Sequence, residues 1–228
     1  MAETLFVFRP EPGLRVTLET ARSMDLDAVG CPLFSVEPVQ WELPAVSRFD
    51  RLLAGSANAF RHAGEKLDKL AKLPVLAVGE ATMEEAKDRG FMVARTGTGG
   101  LQNLLDGMEG KQRQLLRLAG EAHVELDPPE GIEIETVIVY KTIPRDITDE
   151  VAVRLRAGGV ALLHSGESAK RLASECERLE VPKSLVAIAA LAPRIAEAAG
   201  EGWREVHVSP HPIDGELLEL AEELCQRS

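Results

Sequence analysis

The chain has 228 residues, 45% of them hydrophobic and only 4% aromatic, so aliphatic side chains must fill its cores, which suits helices packed on parallel strands. A formal net charge of −11 with no Lys/Arg block argues against a nucleic-acid binder, because phosphate contacts need a clustered basic surface. No apolar run approaches the roughly 18 residues of a membrane span, and the start, MAETLFVFRPEPG, lacks the pattern of a signal peptide, so a cytoplasmic protein is expected.

In chain order, LFVFRP (Leu5 to Pro10) predicts a first strand, followed by a helix to about Met24 and a second strand at about Asp27 to Pro32. SVEPVQWELP (Ser35 to Pro44) differs: its prolines forbid a central strand and predict an edge strand or a crossing segment. From Phe49 a strand-then-helix rhythm sets in, with a helix predicted over Ala57 to Leu70 and another after Gly79, where Thr82 and Glu85 fit a capping box and Gly90 supplies the stop. A strand at Leu115 to Ala119 closes this series. EIETVIVYKTIP (Glu133 to Pro144) is the second long extended segment, and we expect it to run beside Ser35 to Pro44 as a two-stranded connection. The rhythm then resumes to a final helix at Asp214 to Cys225.

One pattern occurs twice. LLAGSANAFRHA (Leu52 to Ala63) and LLHSGESAKRLA (Leu162 to Ala173) each read as strand, small hydroxyl-bearing turn and helix, and their serines, Ser56 and Ser165, stand 109 positions apart. The repeat predicts an α/β protein of two doubly wound parallel-sheet domains joined by a two-stranded β-ladder, with the first domain discontinuous: 1–36 with 145–228, then 45–133, and 37–44 with 134–144 as the connection. Such sheets bind ligands beyond the carboxyl ends of their strands, where helix N-termini present free N–H groups. That position is held by Arg9, by Gly55-Ser56-Ala57-Asn58, by Thr82, by Thr96 to Gly100 and by Ser165-Gly166-Glu167-Ser168, a set suited to an anionic, carboxylate-rich small molecule.

Other constellations fail. TGTGGL (Thr96 to Leu101) lacks dinucleotide-loop spacing and the Walker lysine, though it could hold an anion. His207 and His211 are four apart, but Pro210 and Pro212 forbid the helix that would align them, so no metal site is expected. His164 ends a strand and is a candidate proton donor beside the plainer reading of a polar strand end. The unpaired cysteines Cys31, Cys176 and Cys225 read as reduced, small apolar residues.

FRPEPG near the start, the GSANAF turn, AVGEAT followed by A-x-x-x-G-F, the VYKTIP segment, LLHSGESA and the tail around Asp214-Gly215-Glu216-Leu217-Leu218 together resemble the uroporphyrinogen-III synthase family over nearly the whole chain. The resemblance implies two α/β domains with hydroxymethylbilane bound between them, largely by main-chain amides, and no cofactor or metal. It implies that Tyr140, the one tyrosine of the chain, is the proton donor that assists loss of the substrate hydroxyl. Gly55, Ser56, Thr82 and Ser165 match the family's turns, and with Arg9, Asn58, Gly166 and Ser168 they form the expected substrate-binding set. Ser56 and Ser165 are then expected to face one cleft and to present helix amides to carboxylates, neither acting as a nucleophile. Arg9, Arg61, Lys141, Lys170 and Arg194 are candidates to offset the charge of an eight-carboxylate substrate. At Ala189-Ala190-Leu191-Ala192 the chain departs from the family's hydroxyl-bearing turn, which removes two side-chain contacts. A monomer is expected, with no nucleic-acid or membrane partner. The competing reading is a non-catalytic tetrapyrrole- or small-anion-binding module of the same two-lobed fold.

Overall fold

The computed structural model describes residues 3–108 and 113–227. In chain order the regular elements are β1 (Leu5–Val7), α1 (Gly13–Ser23), β2 (Ala28–Gly30), β3 (Phe34–Pro38), β4 (Arg51–Ala54), α2 (Asn58–His62), β5 (Val75–Val78), α3 (Glu80–Asp88), β6 (Val93–Gly97), α4 (Leu101–Asp106), β7 (Arg113–Gly120), β8 (Ile132–Pro144), α5 (Asp149–Arg156), β9 (Gly159–Leu163), α6 (Gly166–Arg178), β10 (Val186–Ala190), α7 (Pro193–Ala199), β11 (Glu205–Val208) and α8 (Asp214–Gln226). The chain divides into two compact units, 1–35 with 144–228 and 36–143.

Unit one holds a five-stranded sheet in the order β11-β10-β9-β1-β2, with every pair parallel. Strand alternation sends Phe6, Phe8, Ala161, Leu163 and Ile188 to one face, and Leu5, Val7, Val160, Leu162 and Ala187 to the other. Because each strand of a parallel sheet is covered on both faces, these runs are apolar throughout. The first face packs under α5, α6 and α7, through Leu155, Leu172 and Ile195. The second packs under α1 and α8, through Leu14, Ala21, Leu217 and Leu224.

Unit two contains β8-β7-β4-β5-β6, again parallel, with β3 added beyond β8. Leu52, Ala54, Val75 and Ala77 face a core with Phe60, Leu67 and Phe91, while Leu53, Leu76 and Leu115 face Leu104 and Leu105 of α4.

Counted from β9, unit one runs β9, β10, β11, β1, β2, and the position of each strand in the sheet is then that of β4, β5, β6, β7 and β8 in unit two. The two sheets share one topology with a different starting strand. The repeated sequences fall on matching elements, β4 with α2 and β9 with α6. The match also aligns α8 with α4, and α1 with the irregular segment 121–131 between β7 and β8.

Three local expectations change. The helix predicted over Ala57 to Leu70 is five residues of α-helix followed by a 3-10 run, Gly64–Leu70, because Gly64 at φ +68° interrupts the i to i+4 ladder. Thr82 is no cap: α3 begins at Glu80, after Gly79 at φ +81°, and the Thr82 side chain is buried within the helix. The segment Glu133 to Pro144 is not confined to a two-stranded connection, since β8 pairs with β7 from Ile132 to Tyr140 as well as with β3. Its β-branched residues are those of an interior strand for most of its length.

Candidate active site

In an open parallel sheet the crevice lies where the strand order reverses, because the connections leave to opposite sides there. In unit two that point is between β4 and β7, and a cavity of about 410 Å³ opens at it, lined among others by Gly55, Ser56, Gly100, Arg117, Gly120 and Tyr140. The cavity follows from the segment 121–131: where unit one has α1 to cover the corresponding edge, unit two has irregular chain.

Tyr140 sits on β8 opposite Gly120, and its carbonyl accepts from the Glu121 N–H at 2.9 Å. Its ring lies across Gly120 so closely that a Cβ there would stand 2.6 Å from the ring carbons and 2.9 Å from the phenol oxygen. Only glycine allows that approach. His62 also lies near the ring, centroid to centroid 6.3 Å and tilted by 42°. Burial, with help from the Arg61 and Arg89 charges, holds the His62 imidazole below its ordinary pKa, against a weaker pull from Glu85, so it is neutral near pH 7.

Ser56 follows β4, and its Oγ accepts from the Asn58 N–H at 3.2 Å, a turn cap with the hydroxyl at the cavity wall. Gly99 and Gly100, at φ +77° and +110°, carry the chain around the opposite rim. His123 Nδ1 donates to the Gly120 carbonyl at 2.8 Å, so that nitrogen carries a proton. Arg117 projects from β7 and is 5% exposed, with Nη1 donating to the Val124 carbonyl at 2.9 Å. Burial lowers its pKa, while Glu125 and Tyr140 pull the other way; a guanidinium nonetheless stays charged.

The order of unit one reverses between β1 and β9, and there the polar groups neutralise one another. Asp214, the first residue of α8, receives Arg9 Nη1 at 3.1 Å, the Thr17 hydroxyl at 2.9 Å and His164 Nε2 at 2.5 Å. Burial pushes the Asp214 carboxyl up, but the hydrogen bonds from His164 and Thr17 and the Arg9 charge outweigh it and hold it below the ordinary range. Burial likewise holds His164 below its ordinary value, against the pull of Asp214. Arg9 is therefore a partner of Asp214, not a free cation.

Ser165 caps α6, its Oγ accepting from the Ser168 N–H at 3.1 Å and donating to the Ser168 hydroxyl at 3.0 Å. Ser168 is 2% exposed, so its hydroxyl completes the cap and does not face solvent. Ser165, Gly166, Lys170 and Arg194 line an open depression of about 520 Å³. Arg61 is paired with Glu85 at 2.7 Å, and Lys170 with Glu167 at 3.1 Å. The structure thus gathers Gly55, Ser56 and Tyr140 at one cavity and Ser165 and Gly166 at another surface, and leaves Thr82 and Ser168 inside the packing.

Arg117 and His123 are the cavity residues that sequence reasoning missed. The signal for Arg117 was present: a lone charge inside LLRLAG, an otherwise apolar strand buried on both faces. Nothing in the sequence marks His123. Among the described residues no cluster of three or more His, Cys, Asp or Glu could hold a metal, and no helix is long and apolar enough to cross a membrane. The three cysteines are free and buried, and burial pushes Cys31 and Cys176 up to about 11 and Cys225 up to about 12.

Among solved structures, a uroporphyrinogen-III synthetase from Helicobacter pylori is similar at 18% identity and TM-score 0.66, over 98% of this chain and 100% of that one. A mutant uroporphyrinogen III synthase from Thermus thermophilus is similar at 16% identity and TM-score 0.62, over the full length of both. At such identities the likeness speaks for the α/β fold. No curated protein sequence matches significantly. The sequence model of the family described as uroporphyrinogen-III synthase HemD matches residues 16–219. The chain belongs to the uroporphyrinogen-III synthase family.

Proposed function

We propose that this protein closes hydroxymethylbilane to uroporphyrinogen III, with inversion of the terminal pyrrole and release of water, a lyase reaction of tetrapyrrole biosynthesis. The observation that carries the reading is the family match, which spans nearly all of the chain. We read the two compact units as two domains, the first built from both ends of the chain.

The reaction starts with loss of the hydroxyl from the hydroxymethyl carbon, and Tyr140 is our candidate for the acid that protonates it. Its phenol stands at the cavity wall of unit two with no hydrogen-bond partner among the described residues, so the O–H is available to a ligand. Departure of water leaves an azafulvene cation, which the substituted carbon of the terminal pyrrole attacks to give a spiro intermediate. Fragmentation and reclosure then deliver the inverted ring. The protein's largest contribution is to hold the flexible chain so that this closure outruns simple head-to-tail cyclisation. The capped turns at Ser56 and Ser165 offer backbone amides to carboxylates, with Lys170 and Arg194 beside the second.

Freshly prepared hydroxymethylbilane, incubated with the protein and oxidised, tests the reading by separation of the porphyrin isomers. Isomer III is expected in excess; isomer I alone, the spontaneous product, would exclude catalysis.

A further inference from the structure

The reversal points of the two sheets match in topology but differ in charge. In unit one the guanidinium of Arg9 is neutralised by Asp214, the first residue of α8. In unit two the helix aligned with α8 is α4, and its first residue is Leu101. Among the described residues Arg117 has no carboxylate hydrogen-bonded to it, although the Glu125 charge reaches it: its one hydrogen bond goes to the Val124 carbonyl, and its buried Nε has no partner. A guanidinium 95% removed from solvent whose buried Nε has no acceptor is costly unless something else supplies it. It lines the same cavity as Tyr140, which its charge reaches.

We infer that Arg117 is the anion-binding residue of the unit-two cavity, where it takes one carboxylate of the substrate's acetate or propionate side chains and so positions the reacting end beside Tyr140. A planar fork of donors matches a carboxylate in two-point contact, which fixes orientation as well as charge. This rests on the function proposed above, but it concerns binding and is read separately from turnover.

The test is a fluorescence titration of the full chain with uroporphyrin III, a stable octacarboxylate, on wild type, Arg117→Met and Arg117→Lys. Arg117→Met is expected to bind at least tenfold more weakly, with a melting temperature equal to or above that of wild type, because it removes an unneutralised buried charge. Arg117→Lys keeps the charge without the fork, and is expected to bind about threefold more weakly and to raise KM by a similar factor. Wild-type affinity in Arg117→Met, or its failure to fold, would overturn the inference, since the first denies the contact and the second makes Arg117 a structural residue. A wild-type KM in Arg117→Lys would also count against it. Weakened binding in a protein that forms only isomer I would retain the anion site and remove the enzyme reading, so the two failures are distinguishable.

Discussion

The Tyr140 ring covers Gly120, with its phenol oxygen 2.9 Å from the place a Cβ would occupy. The two residues face each other across β7 and β8 at a shift in register between Ala119 and Gly120. The missing side chain at 120 is therefore what seats the tyrosine at the cavity. Gly120→Ala is expected to push the ring aside and lower kcat by about tenfold or more, since misplacement by about 1 Å costs as much as a hundredfold. Tyr140→Phe keeps the packing and loses the proton, so it is expected to lower kcat by 10²–10⁴ with KM little changed. Both are measured as the rate of isomer III formation, and full activity in Tyr140→Phe would remove the tyrosine from the chemistry.

Ser165 caps α6 through the Ser168 N–H. Ser165→Ala is expected to cost about 1 kcal/mol of stability, the usual worth of such a cap, and to retain most of the wild-type kcat. Chemical denaturation reads the first and turnover the second. A loss of activity beyond about 10³-fold in a folded variant would instead indicate a nucleophile.

Glu175, whose side chain is 1% exposed, accepts from Arg178 at 2.6 Å and from the Ile147 N–H at 2.8 Å, and so ties α6 to the chain leading into α5. The hydrogen bond from Arg178 holds its carboxyl below the ordinary range, although burial opposes this. Because the folded value is depressed, the stabilisation is present above the unfolded pKa of about 4.3 and is lost as pH falls below it. Glu175→Ala is expected to cost about 1–3 kcal/mol near pH 7 by leaving the buried Ile147 N–H unpaired, with the gap to wild type closing in acid. A denaturation series against pH checks both statements.

His164 is also held low, mainly by burial. For a histidine this means the unfolded chain takes up the proton first, so stability is full above the unfolded pKa of about 6.5 and declines as pH falls toward the folded value. Wild type is expected to lose stability as pH falls below about 6.5, and His164→Gln, which can still donate to Asp214, is expected to flatten that slope. An unchanged slope would assign the loss to other groups.

The sequence by itself determined the class of fold and the family. Its strand-then-helix rhythm and the paired turns LLAGS and LLHS report local periodicity, which the backbone obeys wherever an apolar face must be buried. The turn serines were legible for the same reason, since a hydroxyl before a helix is a local capping signal. Helix boundaries were less so: Gly64 breaks the helix after Asn58, and Gly79 starts α3 two residues before Thr82, because a positive φ is a property of the folded backbone that the residue type only permits. Charge neutralisation was not legible. Arg9 and Asp214 stand at opposite ends of the chain and meet only because β1 and β9 are neighbours, while Arg117 lies amid its apolar strand with no acid hydrogen-bonded to it among the described residues, Leu101 standing where Asp214 does in the other sheet. Which arginine is spent on an internal partner and which remains for a ligand depends on contacts between distant segments, and these only the tertiary structure decided.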